Sequence, residues 1–208
     1  MTDSYRTLLA HVEHEPEKTK GSRHIANLFP VKDAPAIEAA VASVRARMAD
    51  AHHHAFAWRL GRGDQDFRYS DDGEPSGSAG RPMLQQLDGY ELTDVLAVVT
   101  RYFGGTKLGT GGLVRAYGGA VRAALEVAEV VEVVPQATVR IQHAYEDSGA
   151  VAGVLSRFEV QPLQSDYATD VTTEVAIAQA RSAELTRALL DATAARARVE
   201  VRDSDRSC

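Results

Sequence analysis

Val95-Leu96-Ala97-Val98-Val99-Thr100-Arg101-Tyr102-Phe103-Gly104-Gly105-Thr106-Lys107-Leu108-Gly109-Thr110-Gly111-Gly112-Leu113 passes from an apolar run through a glycine-rich loop into a helical pattern. The run Val95 to Val99 is short, continuous and rich in β-branched residues, which predicts a strand covered on both faces. Beyond Gly112, the residues Leu113, Ala116, Tyr117, Ala120, Val121, Ala124 and Leu125 recur at three and four, one apolar face of a helix. From Val95 to Leu125 there is no Asp or Glu, although 29 acidic residues spread evenly over 208 would place about four there. Arg101, Lys107, Arg115 and Arg122 stand unopposed in a chain of formal net charge −6.

A basic, glycine-rich segment between a strand and a helix suits an anion. The first helical N–H groups have no intrahelical partner, the helix dipole is positive there, and Gly104, Gly105, Gly109, Gly111 and Gly112 would let an oxyanion approach. Arg101, Lys107 and Arg115 would supply the countercharge. The alternative is a tight turn flanked by a solvated basic face. Neither nucleotide signature is complete: a Walker loop counted from Gly104 has Thr110 where lysine is required, and G-x-G-x-x-G counted from Gly109 meets Val114. No cofactor is indicated.

Upstream, Ser70-Asp71-Asp72-Gly73-Glu74-Pro75-Ser76-Gly77-Ser78-Ala79-Gly80-Arg81-Pro82 crowds three carboxylates beside a proline. Asp71, Asp72 and Glu74 could do acid–base work or bind Mg²⁺ through water, or could hold the loop by hydrogen bonds and by pairing with Arg81, Arg101 or Arg115. Ser76-Gly77-Ser78-Ala79-Gly80 falls one glycine short of the nucleophile elbow G-x-S-x-G and does not follow a strand, so Ser76 or Ser78 is expected to cap the next helix instead.

Taken together, the stretches 70–82 and 98–118 closely resemble the IMPACT/YigZ family. The resemblance implies an α+β, two-domain protein: residues 1–134 with the fold of the second domain of ribosomal protein S5, and residues 135–203 as a ferredoxin-like domain similar to domain V of elongation factor G. It further implies a cytoplasmic protein with RNA or ribosome contact and a link to translational control. Eukaryotic IMPACT proteins exert that control with an additional N-terminal domain that does not match this chain. The family commonly carries a histidine pair followed by a cysteine or small residue. Here His52 and His53 are followed by His54 and Ala55, so no thiol role is implied.

The rest of the chain reads in order. Tyr5 to His14 is expected to be one strand and Gly21 to Val31 a second. Asp33 caps a helix with Pro35 in its first turn and Ile37, Ala40, Val41, Val44 and Met48 as its buried stripe. His54 to Leu60 alternates as a strand, Phe67-Arg68-Tyr69 is its partner after a turn around Gly61, Gly63 and Asp64, and Ala79 to Leu87 is a helix. The three histidines suggest a metal site only if a third ligand joins them, and none is identifiable, so no metal is assigned. After Pro135, independently of the resemblance, strands at 137–145, 158–164, 167–178 and 197–202 with helices at 146–157 and 182–195 give βαββαβ, the ferredoxin-like order. The turn between the middle strands is placed at Ser165-Asp166, and Asp203 to Cys208 is a tail.

With 44% hydrophobic and 25% charged residues the composition is that of an ordinary globular protein, and no apolar run suits a membrane span. The first residues lack a signal-peptide layout, and Cys208 is the sole cysteine, which excludes an internal disulfide and a cysteine-based zinc site within one chain. Two functions remain. A binding module would hold nucleic-acid phosphates with Arg101, Lys107, Arg115, Arg81 and Arg122 and stack bases on Tyr102, Phe103 and Tyr117. An enzyme would cradle a nucleotide or phosphorylated metabolite in the same loop and use Asp71, Asp72 or Glu74. Aromatics interleaved with arginines favour binding over catalysis.

Overall fold

The central strand is β6, Val95–Tyr102, in which Val95 through Val99 are fully buried. A computed structural model describes residues 4–61 and 66–203. The expected turn residues Gly63 and Asp64 and the tail residues 204–208 lie outside these described residues. In β6, Val95, Ala97 and Val99 pack with α2, Gly80–Gly89, and α3, Thr110–Val127, while Leu96 and Val98 pack with α1, Ala34–Arg47. Helices on both faces explain an apolar run without alternation. The strand is nonetheless antiparallel to both neighbours, β3, Arg23–Pro30, and β4, His53–Arg59. Continuous apolarity therefore reported coverage, not strand direction.

With β2, Val12–His14, and β5, Phe67–Ser70, at its edges, the sheet has the order β2-β3-β6-β4-β5. The expected single strand from Tyr5 to His14 is two. β1, Tyr5–Leu8, leaves for β7, Val130–Val133, with Tyr5 opposite Val133, whereas β2 pairs with β3. β7 lies just before the expected domain boundary at 134 and supplies that partner strand. The α1 start follows its sequence signals, since the Asp33 carboxylate accepts from the Ala36 N–H at 2.8 Å with proline at the first turn. Of its expected stripe Ile37, Val44 and Met48 are buried, while Ala40 and Val41 remain half-buried.

Compactness divides the chain into a unit of residues 5–133 and one from Val134 onward that also takes in Ser4. The second unit contains β8, Gln136–His143, a 3₁₀ turn at Tyr145–Asp147, α4, Ser148–Arg157, β9, Pro162–Tyr167, β10, Val171–Ala178, α5, Gln179–Ala192, and β11, Arg198–Asp203. Its antiparallel sheet has the order β11-β8-β10-β9, the four-strand arrangement expected of βαββαβ. Val139, Ile141, Val175 and Ile177 meet Val151, Val154, Leu155, Leu185 and Leu189 in one core. Strand alternation is clean here because only one face is covered. Ser165 and Asp166 lie within β9, and the hairpin turns instead at 168–170, where the Ala168 N–H bonds to the Asp170 carbonyl.

Residues 1–134 expressed alone should melt cooperatively, whereas a chain ending at Ala128 leaves β1 without its partner strand and should lose several degrees of thermal midpoint, measured by circular dichroism.

Candidate functional site

Three polar side chains lie side by side across the sheet. His24 of β3 and His53 of β4 both stand opposite Arg101 of β6, on the face covered by α2 and α3. The β5–α2 loop closes over them because Asp71 ties it to itself. One Asp71 oxygen accepts from the N–H groups of Ala79 and Gly80, both at 2.9 Å, and the other from Gly77 at 2.8 Å. Asp71 thus performs the capping expected of a serine. The Ser78 hydroxyl donates instead to the Pro75 carbonyl at 2.6 Å, and α2 has no side-chain cap from its preceding residue Ala79.

Folded this way, the loop delivers Glu74 to the row. A single Glu74 oxygen accepts from the Arg101 guanidinium at 2.6 Å and from the Tyr117 hydroxyl at 2.7 Å. The ion pair is dry, with side-chain exposures of 6% for Arg101 and 4% for Glu74. His53 Nε2 stands 3.8 Å from the same oxygen, while its Nδ1 lies 2.8 Å from the Asp72 carbonyl. A carbonyl only accepts, so His53 Nδ1 carries the proton. Asp72, at φ +46°, accepts from Arg45 and from the His54 N–H, each at 2.6 Å. Burial raises the Asp72 pKa, but these two donors outweigh it and hold the carboxyl below its ordinary range. All three loop carboxylates are therefore committed to structure.

The arginine thought to face an anion is the buried partner of Glu74. Tyr117, expected to stack on bases, is fully buried, and burial together with Glu74 drives its pKa strongly upward. His24 packs edge-on against Tyr117 with centroids 5.2 Å apart, and burial, then the Arg101 charge, lower its pKa to about 4. His24 Nε2 and Arg101 Nε are buried without hydrogen-bond partners among the described residues. The sequence signal for His24 is a histidine two residues before Ala26 and four before Leu28, on the apolar face of the same strand.

The glycine loop serves two purposes. Gly104 is a packing glycine: a Cβ there would sit 2.0 Å from the Gly21 carbonyl carbon, and its N–H is taken by the Ser22 hydroxyl at 3.1 Å. It is thereby withdrawn from the anion set. Gly105 and Gly109 turn the chain at φ +85° and +70°, in open space. No side chain among the described residues caps α3, so the N–H groups of Thr110, Gly111 and Gly112 open its start, Thr110 and Gly111 exposed and Gly112 half-buried.

Around that start, Lys107 and Arg115 are exposed and have no carboxylate partner among the described residues. Gly118 of α3 lies against Pro82 of α2, its missing Cβ 3.6 Å away, and Arg81, the residue before that proline, is exposed. Arg122, two turns beyond Arg115, shares its charge with Glu126 at 2.9 Å. Phe103 is 41% exposed beneath the Arg101 guanidinium, whereas Tyr102 is half-buried and donates its hydroxyl to Asp50 at 2.9 Å. The histidine run scatters: His52 accepts from the Phe103 N–H at 3.3 Å, His53 joins Asp72, and His54 lies 3.1 Å from the Thr100 hydroxyl. Among the described residues no three His, Cys, Asp or Glu side chains are grouped to hold a metal.

Known proteins agree with this architecture. The family model of the Impact N-terminal domain matches residues 20–125. The chain is 41% identical over 177 residues to IMPACT family member YigZ of Escherichia coli (strain K12), covering 84% of this chain and 87% of that protein. It is 42% identical over 147 residues to IMPACT family member YvyE of Bacillus subtilis (strain 168), covering 71% of this chain and 66% of that one. A crystal structure of a hypothetical protein superposes over 100% of both chains with a TM-score of 0.68 at 36% identity. The chain belongs to the IMPACT family.

Removing one member of a dry ion pair strands the other, so Glu74→Gln and Arg101→Met should each cost about 3–5 kcal/mol in urea unfolding, and the double variant less than their sum. His24 sets a pH dependence. Its folded pKa of about 4 lies below the ordinary 6.5, so the unfolded chain binds the proton first, and stability present above pH 6.5 is lost as pH falls toward 4. Burial, then Arg45, also lower the His54 pKa, adding with the same sign. The thermal midpoint of His24→Phe should therefore fall less than wild type between pH 7 and 4.5, by up to about 3 kcal/mol of stability.

Proposed function

We propose that the unit of residues 5–133 binds RNA through the open start of α3. Lys107, Arg115 and Arg81 hold phosphates, Phe103 offers a ring for stacking, and the uncapped N–H groups of Thr110, Gly111 and Gly112 take one phosphate oxygen. The observation that carries this reading is the pair of cations at an uncapped, acid-free helix start, Lys107 and Arg115, neither with a carboxylate partner among the described residues, in a protein of net charge −6. A local patch of this kind selects contact at one surface, since the overall charge repels polyanions elsewhere. Such binding fits a cytoplasmic protein that meets the ribosome or its RNA and acts on translation. Among the described residues no helix is long and apolar enough to cross a membrane.

The enzyme reading, in which Asp71, Asp72 or Glu74 hold Mg²⁺ or act as a base, loses support because each carboxylate already satisfies N–H groups or a guanidinium. In a salt series with a labelled single-stranded RNA, Lys107→Ala and Arg115→Ala should each weaken binding across sequences and flatten the log–log slope by about 0.7–1 unit. Arg122→Ala, whose charge Glu126 already shares, should change the slope less. Wild-type protein that ignores RNA at low salt yet is thermally stabilised by a nucleotide would sink the proposal in favour of the enzyme.

A further inference from the structure

We propose that a groove on the opposite face of the sheet, between α1 and the β4–β5 edge, binds a small organic anion with a flat apolar body. α1 packs through Ile37 and Val44, with Met48 just beyond it, onto Leu96 and Val98 of β6, while Phe56 and Trp58 of β4 pack only at the margin of that core. The space enclosed there is about 330 Å³, floored by Phe56 and Trp58 and walled by Val41 and Arg68. That size falls at the lower end of the roughly 300–1,000 Å³ typical of small-molecule sites. Phe56, Trp58 and Val41 touch the core yet are only half-buried, so two aromatic rings and a branched side chain line the groove.

Charge decides the class of ligand. Two arginines line the groove, and only one of them is spent. Arg45 is held by Asp72 at 2.6 Å, whereas Arg68, opposite Trp58 in the β4–β5 register, has no carboxylate partner among the described residues. Among the described residues Glu38 is the single acidic one lining the groove, and it is exposed. A cation in the groove would meet Arg68 unfavourably and a neutral body would leave it unused. A carboxylate or similar anion, with its ring against Trp58, satisfies both walls, and a guanidinium pairs with a carboxylate through two parallel N–H bonds. The site is independent of the α3 start, which lies over the other face of the sheet.

Trp58 is the only tryptophan in the chain, so its emission reads this groove alone. The test titrates 4-iodobenzoate, a heavy-atom quencher, against its uncharged analogue 4-iodobenzamide, with the full chain. Saturable quenching by the carboxylate, at least about tenfold tighter than by the amide, is the expected result. Arg68→Gln should remove that tenfold preference while leaving amide quenching unchanged, which also shows that the edge strand still folds. Val41→Phe, which fills the groove, should abolish saturation for both probes. Unsaturable quenching by the carboxylate, equal affinity for acid and amide, or a preference that survives Arg68→Gln would each overturn the proposal.

Discussion

The buried pair of Glu74 and Arg101 is the constraint around which residues 5–133 are arranged. Two charges removed from water are tolerable only when each satisfies the other in good geometry, and the Tyr117 hydroxyl completes the set at 2.7 Å. The pair connects three parts of the unit, the β5–α2 loop, the central strand and α3. Glu74 reaches Arg101 only because Asp71 gathers three N–H groups and turns the loop inward. Arg101 in turn lies two residues before Phe103 and three before Gly104, so the glycine loop leaves β6 from an anchored point.

From this follows the division of charge in the acid-free segment. Of its four cations, Arg101 faces inward, Arg122 is shared with Glu126, and Lys107 and Arg115 face solvent at the helix start. The missing carboxylate partners come from outside the segment for the first and from just beyond its end for the second. A net charge counts these residues as equal. Geometry makes one of them a structural ion and two of them available to a phosphate. Glycine divides in the same way, Gly104 allowing the Gly21 backbone to approach while Gly105 and Gly109 only turn the chain.

Local patterns predicted what local physics controls. The α1 cap at Asp33, the buried run Val95–Val99, the apolar face of α3 and the βαββαβ order of the second unit follow from periods, caps and turn residues a few positions apart. Where the pattern misled, a distant partner had intervened. Tyr5 to His14 breaks into two strands because β7, more than a hundred residues later, claims the first part. Ser76 and Ser78 are sound caps by composition, yet Asp71 reaches the same N–H groups first. A turn at Ser165-Asp166 was plausible from residue type, and β10 extended the pairing through both residues.

By itself the sequence determined the two-unit α+β organisation, the covered central strand, the basic character of the 95–125 segment and the membership marked by its long motifs. Those properties rest on composition and on spacings within one strand, loop or helix. Only the tertiary structure decided which charges are free, because whether a guanidinium meets a carboxylate or a phosphate depends on what the fold brings opposite it. Arg101 and Arg115 cannot be told apart by their neighbours in the chain. They differ because the fold sets Glu74 against one and leaves the other in water.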